Sequence, residues 1–263
     1  MQTWQAIVLA VVEGLTEYLP ISSTGHLILT SAWMGISTQD FTKDFLIMVQ
    51  FGAILAVVFE YFHVFVKSFK IYPILIAGFL PAGIIGLLVK NRIDALLESV
   101  WTVAIALVVG GVLLVFTDKI FNENKARVKT VDKMTWKNGL AVGFAQCAAF
   151  VPGVSRSAAT IWGGLSQKLD RRTATEFSFL LAFPTLSGAT LLKAVKAIHR
   201  IDAMGWELLL LGNIISFAIG LISIRYFIKY VTKHGLKGFG YYRIALGLIV
   251  IAILMMHIEI PIV

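Results

Sequence analysis

Glu13 and Glu17 stand four residues apart in an otherwise apolar stretch. On a helix that spacing puts both carboxyl groups on one face. Such a pair suits proton transfer, one acid holding a proton beside its ionised neighbour. It also suits oxygen ligation of Mg²⁺ or Ca²⁺. Snorkelling toward an interface is the plainer reading, but it accounts for one acid more readily than for two that face a Pro20-Ile21-Ser22-Ser23 turn. Ser22, Ser23 and Thr24 lead into Gly25-His26. Their hydroxyls can cap the next helix. His26, three residues after Ser23, can also face it at a helix start, and a Ser or His nucleophile near a carboxylate is a pattern of covalent catalysis.

The second cluster reads Pro152-Gly153-Val154-Ser155-Arg156-Ser157-Ala158-Ala159-Thr160. Gly153 lets the backbone turn and come close to a ligand. Ser155 can cap the helix that follows, and a helix N-terminus with free N–H groups is an anion site. Arg156 adds a planar fork suited to phosphate, and Ser157 and Thr160 add hydroxyls. A capped half-helix with a snorkelling Arg is the alternative, set against the cost of Arg at membrane depth. If the clusters meet, the carboxylates repel phosphate unless protonated or bridged by a metal. The pairing therefore favours metal-assisted or acid-assisted phosphoryl chemistry.

These clusters must be placed by an all-α polytopic membrane protein. Of 263 residues, 58% are hydrophobic and only 14% charged, too few charges to cover a soluble surface. One cysteine, Cys147, excludes a disulfide framework. Six transmembrane helices are expected over Phe45–Phe59 with its aromatic flanks, Ile71–Val89, Val100–Thr117, Thr173–Leu192, Leu208–Ile224 and Ile244–Ile258 extended back to Tyr241. Met1–Met34 and Gly139–Leu165 are apolar but broken by Pro, Gly and hydroxyl runs, which predicts two re-entrant helical hairpins. No cleaved signal peptide is expected, since the N-terminus lacks a basic run and carries both acids. The net charge of +8 reads as membrane orientation, not as a nucleic acid surface. Fourteen basic residues fall on loops of one parity, around Lys67–Lys70, 118–137, Lys168–Arg172 and Lys229–Lys237, against six on the other. The first set is expected in the cytoplasm.

Glu13-Gly-Leu-Thr-Glu-Tyr-Leu-Pro-Ile-Ser-Ser-Thr and Gln146-Cys-Ala-Ala-Phe-Val-Pro-Gly-Val-Ser-Arg-Ser look alike, about half a chain apart. A single membrane domain, 1–263, is thus read as two halves, 1–117 and 138–263, around a cytoplasmic loop, 118–137. Three spans follow each hairpin, so the repeat is of inverted topology, a build typical of secondary transporters.

The run from Glu13 to His26 and the run from Pro152 to Thr160 closely resemble the two signature motifs of the undecaprenyl-diphosphate phosphatase family, the bacitracin-resistance type, with the length and span pattern matching over essentially the whole chain. Ala158 stands where that pattern often has glycine. The resemblance implies hydrolysis of undecaprenyl diphosphate to the monophosphate carrier lipid and inorganic phosphate, serving peptidoglycan synthesis. It implies a multi-pass protein of the bacterial inner membrane with an outward-opening site and a divalent cation, Mg²⁺ or Ca²⁺. Carried over, Glu13 and Glu17 match the acidic motif and metal site, Ser23 and His26 the nucleophile region, and Ser155, Arg156 and Thr160 the phosphate-binding motif. Ser22, Thr24, Gly153, Ser157 and Arg243 join them as candidate substrate contacts, with Arg243 equally readable as a snorkelling anchor. Ser23 is the expected nucleophile, with His26 or Glu17 as base and a covalent His26 intermediate as the competing version. Oligomeric state is open between monomer and homodimer. The rival of another class is a lipid-phosphate flippase or transporter with the same midplane site. A phosphatidic-acid-type phosphatase fits less well, because no His follows Ser155-Arg156 before His199.

Overall fold

The computed structural model describes residues 1–89, 96, 99–197 and 200–256. The first hairpin is α1 (Thr3–Thr16), a break, and α2 (Ser23–Trp33). There follow α3 (Asp40–Met48) running into α4 (Gln50–Glu60), the short α5 (Phe62–Lys67), α6 (Ile71–Leu88) and α7 (Val100–Ile120). The second hairpin is α8 (Trp136–Gln146), a short 3₁₀ turn, a break, and α9 (Arg156–Ser166). Then come α10 (Arg171–Ala197), α11 (Ala203–His234) and α12 (Lys237–Met255). Among the described residues, α3–α4, α6, α7, α10, α11 and α12 are long and apolar enough to cross a bilayer. The hairpin helices have 14, 11, 11 and 11 residues. At 1.5 Å per residue none exceeds about 21 Å, short of a core of about 30 Å.

Two spans differ from expectation. α11 runs to 32 residues, well beyond Leu208–Ile224, because Asp202 caps its start, accepting from the Gly205 N–H at 2.8 Å, and Gly235 at φ +69 ends it. α12 begins at Lys237, several residues earlier than Tyr241, so Arg243 lies inside the helix instead of at its mouth. Residues 257 and 258 of the expected span lie outside the described residues.

The hairpins exchange partners between the halves. α1 packs along α11, and α8 packs along α6. α4 packs on α11, α10 on α6, and α7 lies against α12. The approach is closest where Gly52 of α4 meets α11: a Cβ there would lie 2.2 Å from the Asn213 carbonyl oxygen, and the Gly52 N–H donates to Asn213 Oδ1 at 2.6 Å. Tyr18, Phe179 and Phe227 form an aromatic core between the hairpin and the spans, with edge-on and tilted contacts at 5.0 and 5.9 Å. The Tyr18 hydroxyl donates to the Ala53 carbonyl.

Charge sorts to the ends of the bundle. At one end Asp44 is buried and pairs with Lys193 at 2.9 Å and Arg200 at 3.0 Å. At the other end lie Glu60, Arg225, Arg172 and the 118–137 segment. That segment is strapped down: the Asp170 N–H donates to the Val128 carbonyl at 3.0 Å, and Arg171 pairs with Asp118 at 2.8 Å.

Candidate active site

Both hairpin breaks end on a serine in a backbone conformation that L-residues avoid. Ser22 has φ +72 and Ser155 has φ +77. Each is the N-cap of the following helix: Ser22 Oγ accepts from the Gly25 N–H and Ser155 Oγ from the Ala158 N–H, both at 3.3 Å. Positive φ at a non-glycine residue costs on the order of 1–3 kcal/mol and persists only where the surroundings over-determine it. Both helix starts lie at the wall of one cavity. Gly153, at φ +94, completes the second tip; a Cβ there would lie 2.6 Å from the Val103 carbonyl oxygen.

The two tips enclose one polar cavity of about 240 Å³. Its walls include Glu17, Ser22, Ser23 and Thr24 from the first tip and Gly153, Ser155 and Arg156 from the second. Ser23 Oγ donates to Glu17 Oε2 at 2.5 Å, and Arg156 Nη2 donates to Glu17 Oε1 at 2.8 Å. Arg156 Nη1 holds the Ser178 carbonyl at 2.8 Å, while its Nε has no protein partner. A hydroxyl, a carboxylate and a guanidinium, all largely buried, are thus linked across the two hairpins; at low local dielectric such contacts are strong. Ser157 ties the tips together by donating to the Leu19 carbonyl at 2.8 Å.

Glu13 stands a helical turn behind Glu17, fully buried, its carboxyl against that of Glu17 and both its oxygens free of protein donors. Orphaned buried oxygens beside a second carboxylate call for a shared proton or a cation. Among the described residues no three Asp, Glu, His or Cys side chains gather into a metal cage. A cation would therefore draw on this pair plus substrate oxygens and water, the usual arrangement for Mg²⁺.

Besides Glu13, four expected site residues are placed outside the cavity wall, Ser157 among them with its hydroxyl on Ser155 Oγ and the Leu19 carbonyl. His26 turns away from Ser23: Nδ1 meets the Ser22 carbonyl at 2.8 Å and Nε2 the Tyr242 hydroxyl at 2.7 Å, with the rings stacked. It contributes nothing to the cavity wall, its ring being held against Tyr242 of α12. Thr160 lies behind Arg156, bonded to the Arg156 carbonyl at 2.8 Å and to Ser178 Oγ at 2.6 Å. Arg243 is fully buried and outside the cavity. Its guanidinium donates to the carbonyls of Gly153 at 2.7 Å, Val154 at 2.8 Å, Ala106 at 3.0 Å and Pro20 at 3.1 Å. Its charge is met by carbonyl dipoles from both tips and α7.

Sequence reasoning also missed residues. Gln146 lines the cavity with its Nε2 unpartnered, and Gln50 and Thr185 line it beside Gln146. The repeat alignment, which sets Gln146 opposite Glu13, carried the signal for Gln146; nothing local marked Gln50, Thr185 or Ser178.

The family model described as bacitracin resistance protein BacA matches residues 6–249. A protein of Flavobacterium johnsoniae named undecaprenyl-diphosphatase is 48% identical over 256 residues, 96% of each chain. Relatives bearing the same name from Bdellovibrio bacteriovorus and Aquifex aeolicus are 44% and 43% identical, covering 97% and 95% of this chain and 97% of each of theirs.

Proposed function

Because the chain belongs to the family of the bacitracin resistance protein BacA, we propose that it is an undecaprenyl-diphosphatase, releasing the terminal phosphate of a membrane-bound polyprenyl diphosphate. The relatives are named for this hydrolysis, and the transporter reading is set aside. The observation that carries the proposal is the Ser23–Glu17–Arg156 link at the meeting of two helix N-termini.

The diphosphate enters the cavity against the free N–H groups at the starts of α2 and α9. Arg156 exchanges its contact with Glu17 for phosphate oxygens, keeping the Ser178 carbonyl as its anchor. Glu17, relieved of that partner, takes the Ser23 proton as Oγ attacks the terminal phosphorus. The anhydride P–O bond breaks, its electron pair leaves on the polyprenyl monophosphate, and a phosphoserine forms. Water then attacks that phosphorus, and Glu17 returns the proton to Ser23. A divalent cation at Glu13 and Glu17 fits the orphaned oxygens and, when bound, supplies charge neutralisation to the transferring phosphoryl group. His26 stabilises α2 through Tyr242 and takes no part in proton transfer.

The surroundings suit a long apolar tail. A groove of about 740 Å³ between α4, α10 and α11 is walled by apolar side chains such as Phe51, Leu55, Leu191, Leu210 and Phe217. Its lining adjoins that of the cavity in sequence on both sides, Met48 and Phe51 flanking Gln50 and Ser187 following Leu186. The two halves form an inverted repeat of one domain, supported by the partner exchange of their hairpins, with both tips re-entrant in the bilayer. The protein resides in the bacterial cytoplasmic membrane, its cavity opening to the outer face. In support, Ala82, Thr185 and Leu186 lie on the halves of α6 and α10 far from the basic end.

The test is phosphate release from a polyprenyl diphosphate by purified protein. Ser23→Ala should cut kcat at least ~100-fold while leaving the melting temperature intact. Near-normal turnover in that variant would overturn Ser23 as nucleophile.

A further inference from the structure

A second polar cavity, of about 950 Å³, lies at the opposite end of α4 and α10 from the catalytic one. The catalytic cavity touches Gln50 and Thr185; this one touches Glu60 and Arg172. Gln50 and Glu60 are ten residues apart on α4, about 15 Å of rise, and on α10 the two linings come no closer than Leu180 and Thr185. The site's cations are arranged, not scattered. Arg225, Lys229 and Lys233 recur every fourth residue on α11 and so share one face, a spacing at which like charges destabilise a helix. Arg172 faces them from α10 and Lys129 from the 118–137 segment. Acids answer only the two arginines: Arg225 pairs with Glu60 at 2.7 Å and Arg172 with Glu176 at 2.8 Å, each arginine more than half exposed. Asp132, on the rim, accepts from Ser68 at 3.2 Å. Lys129, Lys229 and Lys233 make no ion pair among the described residues.

Depth identifies the occupant. α11 has 32 residues, about 48 Å of helix against a hydrocarbon core of about 30 Å. Its last turns, carrying Lys229 and Lys233, stand beyond the core at the level of lipid headgroups. We propose that this cavity binds the phosphodiester headgroup of an anionic phospholipid, which enters from the adjoining leaflet and satisfies the three unpaired lysines. None of these residues belongs to the catalytic machinery, so the site acts as a lipid sensor or anchor separate from turnover.

The experiment is native mass spectrometry of the full chain taken from nanodiscs of equal phosphatidylglycerol and phosphatidylcholine, with phosphate release measured in phosphatidylcholine alone. Wild type should retain phosphatidylglycerol with a strong preference. Lys129→Gln/Lys229→Gln/Lys233→Gln should lower that retention up to roughly a hundredfold, at about fivefold per juxtamembrane cation, with phosphate release unchanged. The Lys→Arg triple variant should restore it. Absence of lipid preference in wild type, or equal retention in the Gln variant, overturns the proposal. So does displacement of the lipid by millimolar inorganic phosphate, which would make free phosphate the ligand.

Discussion

Arg243 is the residue whose removal should do most damage without touching substrate. Four of its hydrogen bonds are 3.1 Å or shorter and end on the carbonyls of Pro20, Ala106, Gly153 and Val154, the last of them partly buried. Arg243→Leu strands three of them, since the Ala106 carbonyl keeps its helical partner within α7. An unsatisfied buried group costs about 1–3 kcal/mol in soluble proteins, and membrane hydrogen bonds average about 0.6 kcal/mol. The loss therefore amounts to roughly 2 kcal/mol on the membrane figure and roughly 3–9 kcal/mol on the soluble one, a large part of a typical fold's margin of about 5–15 kcal/mol. An independent perturbation reaches the same group from outside. A Cβ on Gly110 would lie 2.2 Å from Arg243 Nη2, so Gly110→Ala must push the guanidinium off two of its carbonyls, for roughly half that loss. Thermal unfolding in detergent should show both variants melting several degrees early, Arg243→Leu the more so, with kcat falling because the tips part. If Arg243→Leu melts with the wild type and only KM rises, Arg243 binds phosphate and the staple is refuted. An unshifted Gly110→Ala would refute it as well.

Two further perturbations address the chemistry. Arg156→Lys should lower kcat/KM by on the order of 100-fold in phosphate release, because an ammonium cannot hold the Ser178 carbonyl and a phosphate in one plane; kinetics equal to wild type would remove the fork from the site. Glu13→Gln should leave Ser23 and Glu17 linked yet raise the divalent cation concentration for half-maximal activity by about 10-fold or more; an unchanged metal titration would take Glu13 out of cation binding.

The spans and the two broken segments were legible because apolar length and helix-breaking residues act locally. So were Glu17, Ser23 and Arg156, since scarce charges and hydroxyls at membrane depth have few other uses. The role of His26 was not legible. Its three-residue spacing from Ser23 predicts a shared face, but Tyr242, 216 residues away, draws the ring elsewhere. The placement of Arg243 was not legible for the same reason: its partners are main-chain carbonyls of three distant segments, and a carbonyl has no residue type by which sequence could announce it. Ser178 likewise enters through its backbone oxygen. Side chains that meet side chains within a motif can be read from spacing; those that meet backbone across the fold cannot.

The two tips also show how a repeated frame makes an unequal site. Ser22 and Ser155 hold the same strained cap, and the next residue opens each helix, Ser23 in one and Arg156 in the other. That position projects into the shared cavity from either side, so its occupant decides the chemistry. Arginine at both would bind phosphate with nothing to attack it, and serine at both would offer nucleophiles with no cation to hold the charge. Behind them the same divergence sets Glu13 against Gln146: one tip carries the acids, while the other has a neutral amide that does not repel the phosphate Arg156 receives. The fold supplies two helix starts at one cavity, and single differences at matched positions set a hydroxyl on one and a guanidinium on the other.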